Sequence, residues 1–183
     1  MNLQEFLIII TFVTGGVLGR ILLQGLPSVE PITFFAILAG SLFGWKKGAA
    51  TGISAWYLSN FLMFGGQGPW TLIHVFSGAC AGFLGGLLHK KAGYLKTFGV
   101  ITIATLLFEI PMTISSGIFF GFGIIASFFT AIPFMVAHLA SNIGFSLLIP
   151  KARKIILEKG KLNEKELFKS YIKKLKRISK NEN

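Results

Sequence analysis

The sequence predicts an all-α membrane protein: a bundle of six transmembrane helices, both termini cytoplasmic, with a basic amphipathic C-terminal helix. Three observations predict it. The 183 residues are 52% hydrophobic and only 14% charged, with 19 Phe and 22 Gly, whereas a soluble domain carries about 25% charged residues. A spanning helix takes roughly 20 mostly apolar residues, so residues 5–150 have room for about six. Finally, lysines occupy alternate turns between the apolar stretches.

The first span runs from Phe6 to Gln24. It opens on Glu5 rather than a lysine cluster and has no small-residue cleavage pattern, so it is expected to be retained. Pro27 and Pro31 break the chain into a loop around Glu30, and Pro31 suits the first turn of a helix. The second span, Ile32 to Trp45, is short. The third, Gly48 to Phe64, ends in the turn Gly65-Gly66-Gln67-Gly68. Pro69 starts the fourth, which continues to Leu88. The fifth is Tyr94 to Gly117, and the sixth, Phe122 to Ile149, is closed by Pro150. Residues 1–150 thus form the expected membrane domain and 151–183 a cytoplasmic tail.

Lys46, Lys47, Lys90, Lys91 and Lys96 follow spans two and four, and twelve more basic residues lie in the tail. The turns after spans one, three and five have none. Positive residues favour the cytoplasmic side, which places both termini inside and the Pro/Gly-rich turns outside. The location read from this pattern is a multi-pass protein of the cell membrane. In the tail, Asn163 and Glu166 have capping-box spacing. Leu167, Phe168, Tyr171, Ile172, Leu175 and Ile178 then share one helical face among lysines. A basic amphipathic helix after a membrane span points to acidic lipids rather than nucleic acid. A docking element for a cytoplasmic partner is the other reading.

Glycines recur four apart at Gly15/Gly19, Gly40/Gly44, Gly48/Gly52, Gly78/Gly82 and Gly82/Gly86. Small residues at this spacing let helix backbones approach closely in lipid. Cys80 is the only cysteine, so no disulfide framework or Cys/His metal spacing exists, and neither metal nor cofactor is expected.

Polar residues collect in the outer half. Arg20 lies near the outer end of span one, Glu30 in the first outer loop and Asn60 near the outer end of span three. Gln67 sits in the second outer turn, with Trp70 and His74 just after it. Glu109 lies about 12 Å below the outer end of span five, at 1.5 Å per residue. Charges within a span normally face a cavity or a partner. Each residue also has a plainer assignment. Arg20 suits snorkelling, Glu109 suits capping of backbone freed by Pro111, Trp70 suits the interface, and His74 suits packing. Their shared depth is what points to one outward-facing site. Trp56, Tyr57 and Trp70 offer flat faces to a heterocycle.

Ser54 within Gly52-Ile53-Ser54-Ala55 and His138 within Ala137-His138-Leu139-Ala140-Ser141-Asn142 faintly resemble the helices of rhomboid intramembrane proteases. The glycine that follows the serine in that motif is missing, and Ser54 falls in the cytoplasmic half. Neither clustered carboxylates nor a phosphate loop ending in Lys-Ser/Thr is present. The chain is therefore not expected to be an enzyme.

Pro27-Ser28-Val29-Glu30-Pro31-Ile32-Thr33, Leu38-Ala39-Gly40, Phe43-Gly44, Ser59-Asn60-Phe61 and Gly66-Gln67-Gly68-Pro69-Trp70-Thr71 resemble the substrate-binding S components of energy-coupling factor (ECF) vitamin transporters. The resemblance covers spans one to four, while spans five and six agree in length and hydropathy. It implies six helices and capture of a vitamin or precursor from outside, beneath the first outer loop. Glu30, Asn60, Gln67, Trp70, His74, Glu109 and Arg20 are then the expected substrate contacts. It also implies a transmembrane coupling protein and two cytoplasmic ATPases as partners, with release by toppling of the whole subunit. Gly15 and Gly19 occupy the place of the small-xxx-small motif, often alanines, that meets the coupling protein. The Gly-Gln-Gly-Pro-Trp run resembles members tied to cobalamin-like compounds, and flat vitamins such as riboflavin are the other option. The rival from a different class is a membrane scaffold or assembly protein without a ligand.

The lysine pattern makes a direct prediction. In a Cys80→Ser background, a cysteine at Gly68 is expected to react with a membrane-impermeant maleimide in intact cells. One at Lys46 should react only after permeabilisation. The reverse pattern would overturn the orientation.

Overall fold

The computed structural model describes residues 3–88, 92–159 and 172, and all regular structure among them is helical. The helices are α1 (Leu3–Leu22), α2 (Ile32–Phe43), α3 (Trp45–Leu62), α4 (Trp70–Gly86), α5 (Tyr94–Phe119), α6 (Ile124–Ser146) and α7 (Leu148–Lys159). Among the described residues three stretches are long and apolar enough to cross a membrane: Leu3–Leu22, Tyr94–Phe119 and the nearly continuous Ile124–Leu157. The outer surface carries many exposed apolar side chains, Phe64, Leu72, Leu95 and Ile125 among them. Both features are compatible with a membrane location.

The expected second span is the element that differs most. At 1.5 Å per residue, twelve-residue α2 is about 18 Å long, against a hydrocarbon core of roughly 30 Å. The cause is Gly44, whose φ of +91° is open to glycine and costly for other residues. The chain turns back there and α3 starts at once. Ten of the twelve residues of α2 are buried, and the main core forms around it, with Phe34, Ile37, Leu38 and Leu42 against Phe12, Ala81, Ile101 and Ile149. α2 is thus the buried centre on which the longer helices pack.

The glycine pairs explain how it fits. A Cβ on Gly52 would lie 2.1 Å from the carbonyl oxygen of Gly78, one on Gly82 would lie 2.0 Å from the carbonyl carbon of Gly48, and one on Gly40 would lie 2.2 Å from the oxygen of Gly82. Backbone meets backbone along the antiparallel α3–α4 pair, and α2 enters the same junction. These pairs therefore pack within the chain. The Gly15/Gly19 face, which the resemblance reserves for a coupling protein, is half-buried against the chain's own residues. A Cβ on Gly15 would stand 3.0 Å from the Phe35 ring, and one on Gly19 would stand 2.5 Å from Pro31.

α5 and α6 pack side by side, α5 against α4 and α2 and α6 against α2. Pro111 in α5 leaves the carbonyl of Leu107 without its helical donor, and the Ser77 hydroxyl of α4 lies 3.4 Å from it. Pro150 does not close the sixth helix. It sits in the first turn of α7, where no backbone N–H is required. The expected boundary at residues 150 and 151 therefore falls inside a helix, and Ile149, Ala152, Ile156 and Leu157 pack on the main core. Arg153 is buried there and donates from Nη2 to the carbonyl of Ala92. The start of α1 lies at the start of α3, where Lys47 Nζ is 2.6 Å from Glu5. The capping box at Asn163 and Glu166 and the amphipathic face expected in the tail lie, apart from Ile172, outside the described residues. Lys90 and Lys91 do too.

Gly52→Ala and Gly82→Ala are expected to lower the unfolding temperature of the purified protein in detergent, because overpacking costs about 1–3 kcal/mol and backbone here cannot yield as a side chain does. Gly144→Ala, whose Cβ would meet open space, is the control and should not. Equal behaviour of all three would refute the contact.

Candidate functional site

The polar side chains converge where the ends of α1 and α3 and the start of α4 meet the loop 23–31 and the interior faces of α5 and α6. Two networks form. In the first, Arg20 Nη1 donates to Ser59 Oγ and to Asn60 Oδ1, each at 2.6 Å. Asn60 Nδ2 donates to Thr71 Oγ1 at 3.2 Å, and Thr71 donates to Gln67 Oε1 at 2.8 Å. Gln67 Nε2 ends the chain on the carbonyl of Tyr57 at 2.9 Å. Hydrogen bonds in such a series polarise one another. His74 Nδ1 lies 3.1 Å from Asn60 Oδ1, buried beside the series.

The second network begins at the head of α2. Glu30 accepts from the backbone N–H of Ile32 at 2.5 Å and of Thr33 at 3.1 Å, and from the Thr33 hydroxyl at 2.6 Å. A carboxylate suits these donors, which have no intrahelical partner. Glu30 also meets His138 Nε2 at 3.1 Å, and His138 Nδ1 meets Glu109 Oε1 at 2.5 Å. The imidazole lies between two carboxylates, and all three residues are at most 6% exposed. An imidazole donates from both nitrogens only when both carry protons. In that form His138 and Arg20 balance the two glutamates.

Aromatic rings line the space between the networks. Trp56 stacks on Phe108 with centroids 5.1 Å apart, His74 stacks on Phe108 at 5.4 Å, and the Arg20 guanidinium stands 4.5 Å over Trp56. Two cavities adjoin here. One of about 180 Å³ is bounded by Arg20, Glu30, Trp56, Phe108, His138 and the loop from Leu26 to Val29. The other, of about 390 Å³, lies between α5 and α6 against Glu109, Thr113, Ser116, Ser127 and Thr130. Ser28 and Phe108 border both. Ser28 has a φ of +59°, uncommon for a residue with a side chain.

Of the expected substrate contacts, Arg20, Glu30 and Glu109 border these cavities. Asn60 and His74 are buried; His74 packs on Trp56 with ring centroids 4.6 Å apart, and Asn60 links Arg20 to Thr71. Gln67 is exposed and joins through Thr71. Trp70 stands apart, its indole N–H donating to the carbonyl of Gly66 at 3.2 Å. Glu30 has both oxygens engaged by its own helix and His138, so it positions the loop. Phe108 and the linking role of His138 were not read from the sequence. Phe108 is one of 19 phenylalanines and had no signal, whereas a histidine inside an apolar stretch carries the same signal that singled out Glu109. Ser54 is not among the partners of His138, whose two ring nitrogens both face carboxylates. Among the described residues no His, Cys, Asp and Glu cluster is arranged to hold a metal ion.

No protein-family model, curated protein or solved structure matches the chain.

Removing His138 would leave two buried carboxylates face to face. His138→Ala is expected to cost about 3 kcal/mol, the scale for breaking a buried ion pair. Glu109→Ala combined with it should cost less than the sum of the two single changes. Additive losses in unfolding experiments would show that the pair is not coupled.

Proposed function

We propose that the chain is the substrate-binding subunit of an ECF-type importer, a six-span membrane protein with cytoplasmic termini that captures a vitamin-like small molecule from outside. The observation that carries this reading is the pair of adjoining, partly open cavities, lined by aromatic rings and by Arg20, Glu30, Glu109 and His138 at the end of the bundle that holds loop 23–31. Ligand sites are concave, largely apolar and fitted with a few placed polar groups. The resemblance over the first four helices contributes the class of transporter.

No phosphate-binding motif occurs in the sequence, so energy comes from partner ATPases through a coupling protein. In the packing described, Phe35 and Pro31 cover part of the Gly15/Gly19 face and leave the rest to that protein. The cavities of about 180 and 390 Å³ suit one fused ring system better than a corrinoid, which is far larger than either. A scaffold without ligand gives no reason for Arg20 and Glu109 to border two cavities. The protease reading lacks a free imidazole nitrogen for its serine.

Native mass spectrometry of the protein purified in mild detergent tests the reading. A retained small molecule of vitamin size is the expected result. An empty protein that also shows no thermal shift with a panel of vitamins and precursors would favour the scaffold.

A further inference from the structure

Resting on that reading of the site as a ligand pocket, we propose that its substrate is a flat heterocycle with an acidic group at one end and an N–H edge at the other. The acid would meet Arg20 and the N–H edge would meet Glu109. The inference starts from what the two networks leave unused. Arg20 makes its hydrogen bonds through Nη1 alone. Nη2 and Nε have no bond among the described residues, and the side chain borders the smaller cavity. A guanidinium presents donors in a planar fork matched to a carboxylate or phosphate. Ser59, Asn60 and the Trp56 face hold that fork in place, so little ordering cost is left for the ligand to meet.

The larger cavity has the opposite character. Glu109 is 94% buried, being 6% exposed, and gives Oε1 to His138. Its Oε2 has no partner among the described residues, and the side chain borders this cavity and an apolar one beside Leu106, Ile132 and Val136. Oε2 is not one of the fully buried unpartnered atoms of the described residues, so it is open to the space beside it and offers an unused acceptor to a ligand N–H. Glu30 does not compete for that N–H, because both of its oxygens are taken. The donor end and the acceptor end are thus held apart by His138, which bridges the two carboxylates. Phe108, which borders both cavities and stacks on Trp56, provides the flat wall between them. A neutral hydrocarbon would leave Arg20 and Glu109 unsatisfied, and a purely cationic ring would face the guanidinium.

The test uses the full-length protein in nanodiscs and three probes sharing one bicyclic ring: pterin-6-carboxylate, pterin-6-carboxamide and 6-aminomethylpterin. Affinities are measured by calorimetry. The carboxylate is expected to bind at least tenfold more tightly than the amide, and the amine most weakly. Arg20→Gln should collapse the carboxylate-to-amide ratio to near one. Glu109→Gln should weaken carboxylate and amide alike and leave their ratio unchanged. Should Arg20→Gln not yield folded protein, Arg20→Lys keeps the charge without the fork, and a reduced ratio is expected.

Equal binding of carboxylate and amide by the native chain, tighter binding of the amine, or a ratio unchanged in the Arg20 variants would each overturn the inference. So would failure of all three probes to bind. In that case a molecule retained through purification would leave the binding-subunit reading standing with another substrate class. A protein empty by mass spectrometry would remove both.

Discussion

Backbone touches backbone where α2, α3 and α4 meet, and the rest of the architecture depends on that contact. In lipid there is no hydrophobic gain from bringing apolar helices together, so packing and dispersion decide which faces meet. Gly40, Gly48, Gly52, Gly78 and Gly82 leave no side chain between the helices. Without side chains in the way, a short helix enters the centre of the bundle and is buried on nearly every side. Larger residues at these positions would push α2 outward and open the core formed by Ile37, Leu38 and Ile101.

A half-length central helix has a consequence at its other end. The head of α2 does not reach the level at which α6 begins. His138 and Ser141, which meet Glu30 and Ser28, lie about 21 and 25 Å along α6 from its first residue. The loop 23–31 therefore dips into the bundle and carries Glu30 with it. Glu30 covers the open end of α2, and its remaining capacity goes to His138. The same dip leaves the space that becomes the two cavities. One glycine turn at residue 44 and a row of glycine contacts thus account for a polar site deep inside an apolar bundle.

Much of this was legible in the sequence, and the limits have physical reasons. Apolar length and turn chemistry located α1 to α6 to within a few residues but not α7, which runs through the expected stop at Pro150. Glycine spacing announced close packing without saying which faces would touch, since a small residue serves an internal contact and a partner equally well. Gly15 and Gly19 show the difficulty, because nothing in their spacing points to Phe35 and Pro31. The shortness of α2 was visible as a count, but not its burial. Depth counted from helix ends brought Arg20, Asn60 and Glu109 into one layer. It could not bring in His138, because α6 runs well past the level of the loop and the count assumes helices that start together. Gln67 and Trp70 were grouped with the site by their position beside it in sequence. The structure ties Gln67 to Asn60 through Thr71 and gives the Trp70 indole to its own turn.

The buried charges themselves bear on whether this is a site at all. A buried ion pair often does no more for stability than apolar side chains of the same volume, because desolvation offsets attraction. Glu30 has a local reason to be charged, since it covers the N–H groups at the head of α2. His138 and Glu109 have none of that kind. The carbonyl freed by Pro111 faces Ser77, which removes the capping task that a glutamate two residues before a proline would otherwise serve. Arg20 is held over Trp56 instead of extending to the surface. Half-buried Arg20 holds Ser59 and Asn60, and His138 separates the carboxylates of Glu30 and Glu109, but none of Arg20, His138 and Glu109 covers a helix end as Glu30 does. Arg20 and Glu109 keep atoms without a partner among the described residues, their side chains border the two cavities, and a ligand bound there would satisfy them.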